Sequence, residues 1–273
     1  MGPTLTTPPR RSPSAAARIP DITGAERTVA DLLPIGADPE SAQRVRDAVP
    51  LWFHTFALNA EHGIYTPGVA RDHRYRVPFV PASFEGQRVL DVGTFDGFYA
   101  YLAEHRGATR VLAVDNEQYI GWVKARWGVP LQGGEGFRAI GSLLGSQVEY
   151  RRGDALALAG TDERFDVVFC FGILHRVENP LGLLRGLGEL LSPGGRLLVE
   201  TYGIVGDGRV DERMIEVKQL GQVYAGDDYV YWGFAAGGLA ALGRLAGLPE
   251  VEVVGTVMVD GHPRILATLE RPA

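Results

Sequence analysis

Between residues 86 and 202 the chain alternates short apolar runs with stretches whose apolar positions recur every three or four residues. Val89, Leu90 and Val92 form one run, Val111 to Val114 a second, Val148 to Arg152 a third, Phe165 to Leu174 a fourth and Arg196 to Thr201 a fifth. Runs of this length bounded by glycines and acids predict strands. The segments between them, 97–107, 117–127, 135–144 and 181–191, carry helical spacing; in the last, Leu181, Leu184, Leu187 and Leu191 share a face. Strands interspersed with helices in this way predict an α/β domain with a parallel sheet. Helical spacing returns over 234–246. Two alternating runs follow, Val251 to Val259 and Arg264 to Glu270, with Gly261 between them, and predict an antiparallel hairpin.

Ahead of the first strand the pattern changes. Residues 1–20 hold Pro, Ser, Thr and Arg with almost no large apolar side chain, so this tail is expected to be disordered. The pair Arg10-Arg11 has no apolar stretch after it and is read as part of the tail and not as an export signal. Two short helices are expected over 21–49, with Thr28 or Asp31 and Asp38 near their starts and Pro34 and Pro50 as stops. They give a cap, and residues 51–79, dense in aromatic residues, His and Pro, give a cover over the first strand's end. The expected organisation is therefore a tail over 1–20, a cap and cover over 21–85, and one main domain over 86–273. Residues 204–234 break the alternation and are expected to form a lid insert.

The chemistry gathers at the ends of the strands. After Leu90 the chain reads Asp91-Val-Gly-Thr-Phe-Asp-Gly97, a glycine-rich turn from strand to helix. Gly93 and Gly97 would let backbone approach a ligand, because a side chain there collides or forbids the φ required. Asp115 closes the second run, placed for ribose hydroxyls. The spacing is Gly-x-x-x-Gly and not Gly-x-Gly-x-x-Gly, which disfavours a nicotinamide dinucleotide.

Three ordered segments, DVGTFDG at 91–97, FDVVFCFGILHRVENP at 165–180 and LLSPGGRLLVE at 190–200, resemble those of class I S-adenosylmethionine-dependent methyltransferases. The WFHTFAL…TPG stretch before them resembles the branch holding the tRNA wobble-uridine carboxymethyltransferase and related small-molecule methyltransferases. The resemblance implies a Rossmann-like, doubly wound and mostly parallel sheet with an antiparallel C-terminal hairpin. It implies S-adenosylmethionine as cofactor, held by Asp91, Gly93, Thr94, Asp96 and Gly97 in the loop, Asp115 and Asn116 at the ribose, Asp154 at the adenine edge and Phe171 against the ring or sulfonium. Phe95 stands where the family usually has glycine, so its ring is expected to face the substrate or the cover. Substrate contacts are expected from Trp52, Phe53, His54, Tyr65, Phe95 and Trp232. His175, in the loop after the fourth strand, and Glu200, ending the fifth, are the candidate catalytic residues, as base or as anchor of the acceptor.

Composition narrows the partner. With 45% apolar and 22% charged residues, the chain has the makeup of an ordinary globular enzyme, and no run of 18 apolar residues predicts a membrane span. The net charge is −6, and all but two of the 27 Lys and Arg residues are arginine, the two being Lys124 and Lys218. An acidic total disfavours a nucleic-acid partner, whose phosphates call for a basic face. Cys170 is the one cysteine, which excludes a disulfide framework and points to a reducing cytoplasm. His54, His62 and His73 have no metal-ligand spacing, and no metal is expected. The leading reading is methyl transfer to N, O or C of a small molecule, as in bacterial secondary metabolism. The alternatives are tRNA wobble-uridine modification and, from another class, a non-catalytic cofactor-binding protein. The acceptor and the oligomeric state stay open.

Overall fold

A computed structural model describes residues 25–70, 75–204, 213–224 and 227–273. The expected tail over 1–20, His73 and parts of the insert lie outside the described residues. The seven-stranded sheet runs in the order β5-β4-β3-β6-β7-β11-β10. Its strands are β3 (Arg88–Val92), β4 (Arg110–Asp115), β5 (Glu149–Arg152), β6 (Phe165–Phe171), β7 (Leu191–Tyr202), β10 (Glu250–Val259) and β11 (His262–Glu270). β3 to β7 pair in parallel, and β11 pairs antiparallel with both β7 and β10, as the alternation predicts. The chain moves outward from β3 through β4 to β5, then crosses back to β6 beside β3. That reversal opens a crevice at the carboxyl ends of β3 and β6, where ligands bind in open α/β sheets.

Period-two alternation builds a core on each face. From β6, Val167, Phe169 and Phe171 join one apolar cluster while Val168 and Cys170 join the other; from β4, Val111 and Ala113 part from Leu112 and Val114. Helices α6 (Pro180–Leu190) and α7 (Ala236–Leu245) cover the second face with Leu183, Leu184, Leu187, Leu239 and Leu242. Local chemistry starts α6: the Asn179 side chain accepts from Gly182 N at 2.8 Å, with Pro180 in the first turn. On the first face lies α3 (Phe98–His105), buried on nearly all sides, with α5 (Glu135–Leu144) beside it and α4 (Gln118–Trp127) toward the crevice.

The cap has α1 (Ala25–Leu32) and α2 (Pro39–Ala48), the latter started by Asp38, whose side chain accepts from Ser41 N at 2.9 Å. It packs on α3 and shares one cluster with it, in which Val29, Leu33, Trp52, Phe56 and Leu58 meet Phe98 and Leu102. The cover adds a small hairpin, β1 (Ala57–Asn59) with β2 (Ile64–Tyr65). Its Thr66-Pro-Gly68 stretch fixes its shape. Thr66 Oγ1 donates to His54 O and accepts from Phe56 N, both at 2.8 Å, and a Cβ on Gly68 would stand 2.4 Å from the His54 carbonyl carbon. In the insert, β8 (Ile215–Val217) pairs with β9 (Trp232–Phe234). The fourth run ends earlier than its apolar pattern, because Gly172 at φ +75° turns the chain and Leu174–Arg176 form a 3₁₀ turn. β7 begins earlier than expected, the Pro193-Gly-Gly turn being taken up as an irregularity in its pairing with β6. Among the described residues no helix is long and apolar enough to cross a membrane.

Candidate functional site

A cavity of about 320 Å³ occupies the crevice, within the range of small-ligand sites. One half is made by the loop after β3 and the end of β4. Asp91, Gly93, Thr94, Phe95, Asp115 and Asn116 line it. Thr94 Oγ1 donates to Asp91 Oδ2 at 2.7 Å, and the Phe95 amide donates to Asp115 Oδ1 at 3.1 Å. Burial pushes the Asp91 carboxyl up to about 6 and that of Asp115 up to about 7. Two buried acids without an ion-pair partner among the described residues suit a cationic ligand with hydroxyls to donate. Phe95 sits at φ +54°, the left-handed conformation that explains why glycine is usual there. Its ring stacks on Phe53 of the cover, centroids 4.7 Å apart, and meets Tyr119 of α4 edge-on at 5.0 Å.

The second half is aromatic and basic. Phe171 ends β6 against Tyr99, and Arg76 lies over Tyr75, Tyr99 and Phe171 at 4.9–5.8 Å. His175 and Arg176 enter from the 3₁₀ turn, Trp122 from α4, Tyr224, Asp227 and Tyr229 from the insert, and Arg264 from β11. Arg176 donates to both oxygens of Asp227, at 3.1 and 2.9 Å, and stacks over Trp122 at 4.8 Å.

Several sequence expectations are redirected by this geometry. Glu200 is fully buried and does not line the cavity; Arg76 and Arg264 both donate to its carboxylate. Burial pushes Glu200 up, but the two guanidinium groups outweigh it and hold it below the usual range. Asp96 turns away from the loop and accepts the backbone amides of Phe53 and His54 at 2.5 and 2.8 Å, fastening the cover. Gly97 serves packing: at φ +86°, a Cβ there would meet Tyr101 and Phe137 within 3 Å. Asp154 is exposed and starts a 3₁₀ turn by accepting from Leu156 N. Trp52 is 2% exposed and donates to Arg46 O, Tyr65 lies in β2, and Trp232 donates to Val177 O; none of the three lines the cavity. Phe53, His54, Phe95, Phe171 and His175 do line it, as do Asp91, Gly93, Thr94, Asp115 and Asn116.

The sequence reading did not single out Arg76, Arg176 and Arg264. The signal for Arg264 was a charged residue opening the apolar run Ile265 to Leu269. Arg76 and Arg176 stand in Arg-Tyr-Arg and His-Arg pairs that composition alone does not distinguish from surface.

The comparisons agree with this architecture. The chain is 31% identical over 170 residues to the tRNA U34 carboxymethyltransferase of Chromohalobacter salexigens, covering 62% of this chain and 46% of that protein. It is 32% identical over 121 residues to a ubiquinone biosynthesis O-methyltransferase of Cereibacter sphaeroides, covering 44% of this chain and 43% of that one. The chain thus spans less than half the length of these curated relatives. Among solved structures, the N-terminal domain of EvdMO1 in the presence of SAH and D-fucose superposes with a TM-score of 0.58 at 21% identity, covering 87% of this chain and 99% of that one. The YcgJ protein of Bacillus subtilis gives 0.53 at 14%, covering 73% and 97%. Both share the fold. The family described as "Methyltransferase domain" matches residues 65–233, from the cover's hairpin through all five parallel strands to the insert, and the chain belongs to that family.

Proposed function

We propose that this chain transfers a methyl group from S-adenosylmethionine to a small molecule held in the aromatic half of the cavity. The observation that carries the reading is the continuity of that cavity: the glycine loop with its two buried acids opens directly onto a wall of Phe171, Tyr99, Trp122 and His175. Bound there, S-adenosylmethionine supplies an already activated methyl group on a sulfonium. The residues fit it: Asp115, with Asn116, would accept ribose hydroxyls, and Asp91 with the Gly93 and Thr94 backbone would hold the cationic methionyl part. What remains for the chain is orientation. Holding nucleophile and carbon in line supplies on the order of 7 to 11 kcal/mol of the barrier. Phe53, Phe95 and Phe171 frame a flat or apolar acceptor, and the cover fastened by Asp96 excludes water. A cavity of about 320 Å³ in an acidic chain favours a small molecule over a tRNA anticodon. The tRNA U34 relatives keep that alternative in view.

The test is calorimetric. The protein is expected to bind S-adenosylhomocysteine, and Asp115→Ala to weaken binding by roughly 1.5 to 3 kcal/mol, the range for hydrogen bonds to a charged group. Binding of NADH with no response to S-adenosylhomocysteine would end this reading.

A further inference from the structure

Two residues lining the acceptor half carry a buried nitrogen with no partner among the described residues, Nε2 of His175 and Nε1 of Trp122. The indole nitrogen is always a donor. For His175 the other ring nitrogen decides the tautomer. Nδ1 has two neighbours, the Thr201 hydroxyl at 3.2 Å, which can donate or accept, and the Tyr202 amide at 3.3 Å, which can only donate; the amide makes Nδ1 the lone-pair nitrogen and puts the proton of the neutral ring on Nε2. The ring is 1% exposed, and burial, with Arg264, Arg176 and Arg76 nearby, holds its pKa well below the usual value. His175 therefore presents a fixed N–H. It has no lone pair at Nε2 with which to take a proton from an acceptor.

Beside it lies a charge imbalance. Arg76 donates to Glu200 Oε2 from Nε at 3.0 Å and Nη2 at 2.6 Å, while Arg264 donates to Oε1. One carboxylate between two guanidinium groups leaves a net charge of about +1, and Arg76, Glu200 and Arg264 are all buried. Asp227 does not correct this, because both of its oxygens accept from Arg176. Arg76 attracts the Asp91 carboxylate, but Asp91 accepts from Thr94 and makes no ion pair with either guanidinium among the described residues, and Asp260, which also lines the cavity, acts on His262. Residues 71–74, Arg-Asp-His-Arg, add no net negative charge in sequence. Arg76 and Arg264 line the cavity with Gly172 beside them, where a Cβ would stand 3.7 Å from Arg76 Nη2 and 4.0 Å from Arg264 Nη2.

We propose that the methyl acceptor is an oxyanion, a carboxylate or an ionised acidic hydroxyl on a flat framework. It is seated against His175 Nε2–H and the Arg76–Glu200–Arg264 group, and it is methylated without a general base. The proposal rests on the methyltransferase reading above. An oxygen lone pair forms the new O–CH₃ bond as the S–CH₃ bond breaks with its electron pair passing to sulfur. The two opposite charges cancel and no proton has to leave. Positive field and donors lower the acceptor's pKa before the transfer, which is the work a base would otherwise do.

The test uses the full chain saturated with S-adenosylhomocysteine, titrated with benzoate and with its neutral isostere benzamide, Trp fluorescence and calorimetry reading the binding. Benzoate is expected to bind about tenfold more tightly or better, as a charge-assisted contact gives. His175→Phe and Arg264→Met are each expected to shrink that gap to about threefold or less, with S-adenosylhomocysteine affinity unchanged. His175→Phe alters no charge pair, so it decides the matter if Arg264→Met fails to fold. Equal binding of the two probes, no saturable binding of benzoate, or a gap that survives His175→Phe overturns the proposal. So does benzoate binding that occurs only without S-adenosylhomocysteine, which would assign the positive group to the cofactor's own carboxylate. Failure of S-adenosylhomocysteine itself to bind would instead refute the cofactor reading.

Discussion

Asp115 carries its carboxyl at about 7 because it is 2% exposed, and the Phe95 amide and Tyr150 hydroxyl offset the burial only in part. A ribose diol needs that carboxyl as an acceptor for two protons. Affinity for S-adenosylhomocysteine is therefore expected to rise from pH 6 and level off by about pH 8, by up to about tenfold per unit below the pKa. The sign for folding is opposite. A carboxyl raised in the folded state stabilises the ligand-free protein in acid, and that contribution is lost as pH rises from about 4 to about 7. Calorimetry in buffers of differing ionisation enthalpy checks it, since proton release must accompany binding near pH 6 and vanish near pH 8. At this scale Asp91, Gly93 and Asp115 were legible because strand ends announce themselves in sequence. Glu200 was legible as a position but not as a role, because its partners Arg76 and Arg264 lie 124 and 64 residues away in the chain.

Among the elements, the cover is where neighbouring residues divide most sharply. Trp52 is packed into the shared cap and α3 cluster and donates to Arg46 O, whereas Phe53 faces the cavity and stacks on Phe95. Trp52→Ala is expected to lower unfolding stability by about 3 to 5 kcal/mol in urea titration. Phe53→Ala is expected to cost less stability and to raise the acceptor's KM with kcat less affected. The density of aromatic residues in this stretch marked it as a cover but not which rings turn inward, since irregular backbone has no period from which to read facing. The strands show the contrast. Their existence was read from short apolar runs, and Val167, Phe169 and Phe171 share one face as the period of two requires; the ends were misread, at β6 where Gly172 stops the pairing while the apolar pattern runs on to Leu174, and at β7, which begins at Leu191.

For the molecule as a whole, a mostly parallel sheet ending in an antiparallel hairpin was legible because alternating strands and helices admit few arrangements. The cavity was not, because it is assembled from the cover, β3, β6, α4, the insert and β11, brought together only by the finished fold. One residue joins its two halves. Phe95 gives its amide to Asp115 on the ribose side and its ring to Phe53 on the other, from a backbone conformation that a phenylalanine adopts only under constraint. Whatever fixes the amide fixes the ring, so occupancy of the first compartment shapes the second. Turnover should then follow a compulsory order of addition, nucleoside ligand before acceptor. In initial-rate experiments S-adenosylhomocysteine is expected to be competitive toward S-adenosylmethionine and noncompetitive toward the acceptor. Saturable binding of the acceptor without the nucleoside ligand, as tight as with it, would mean that the two compartments fill independently.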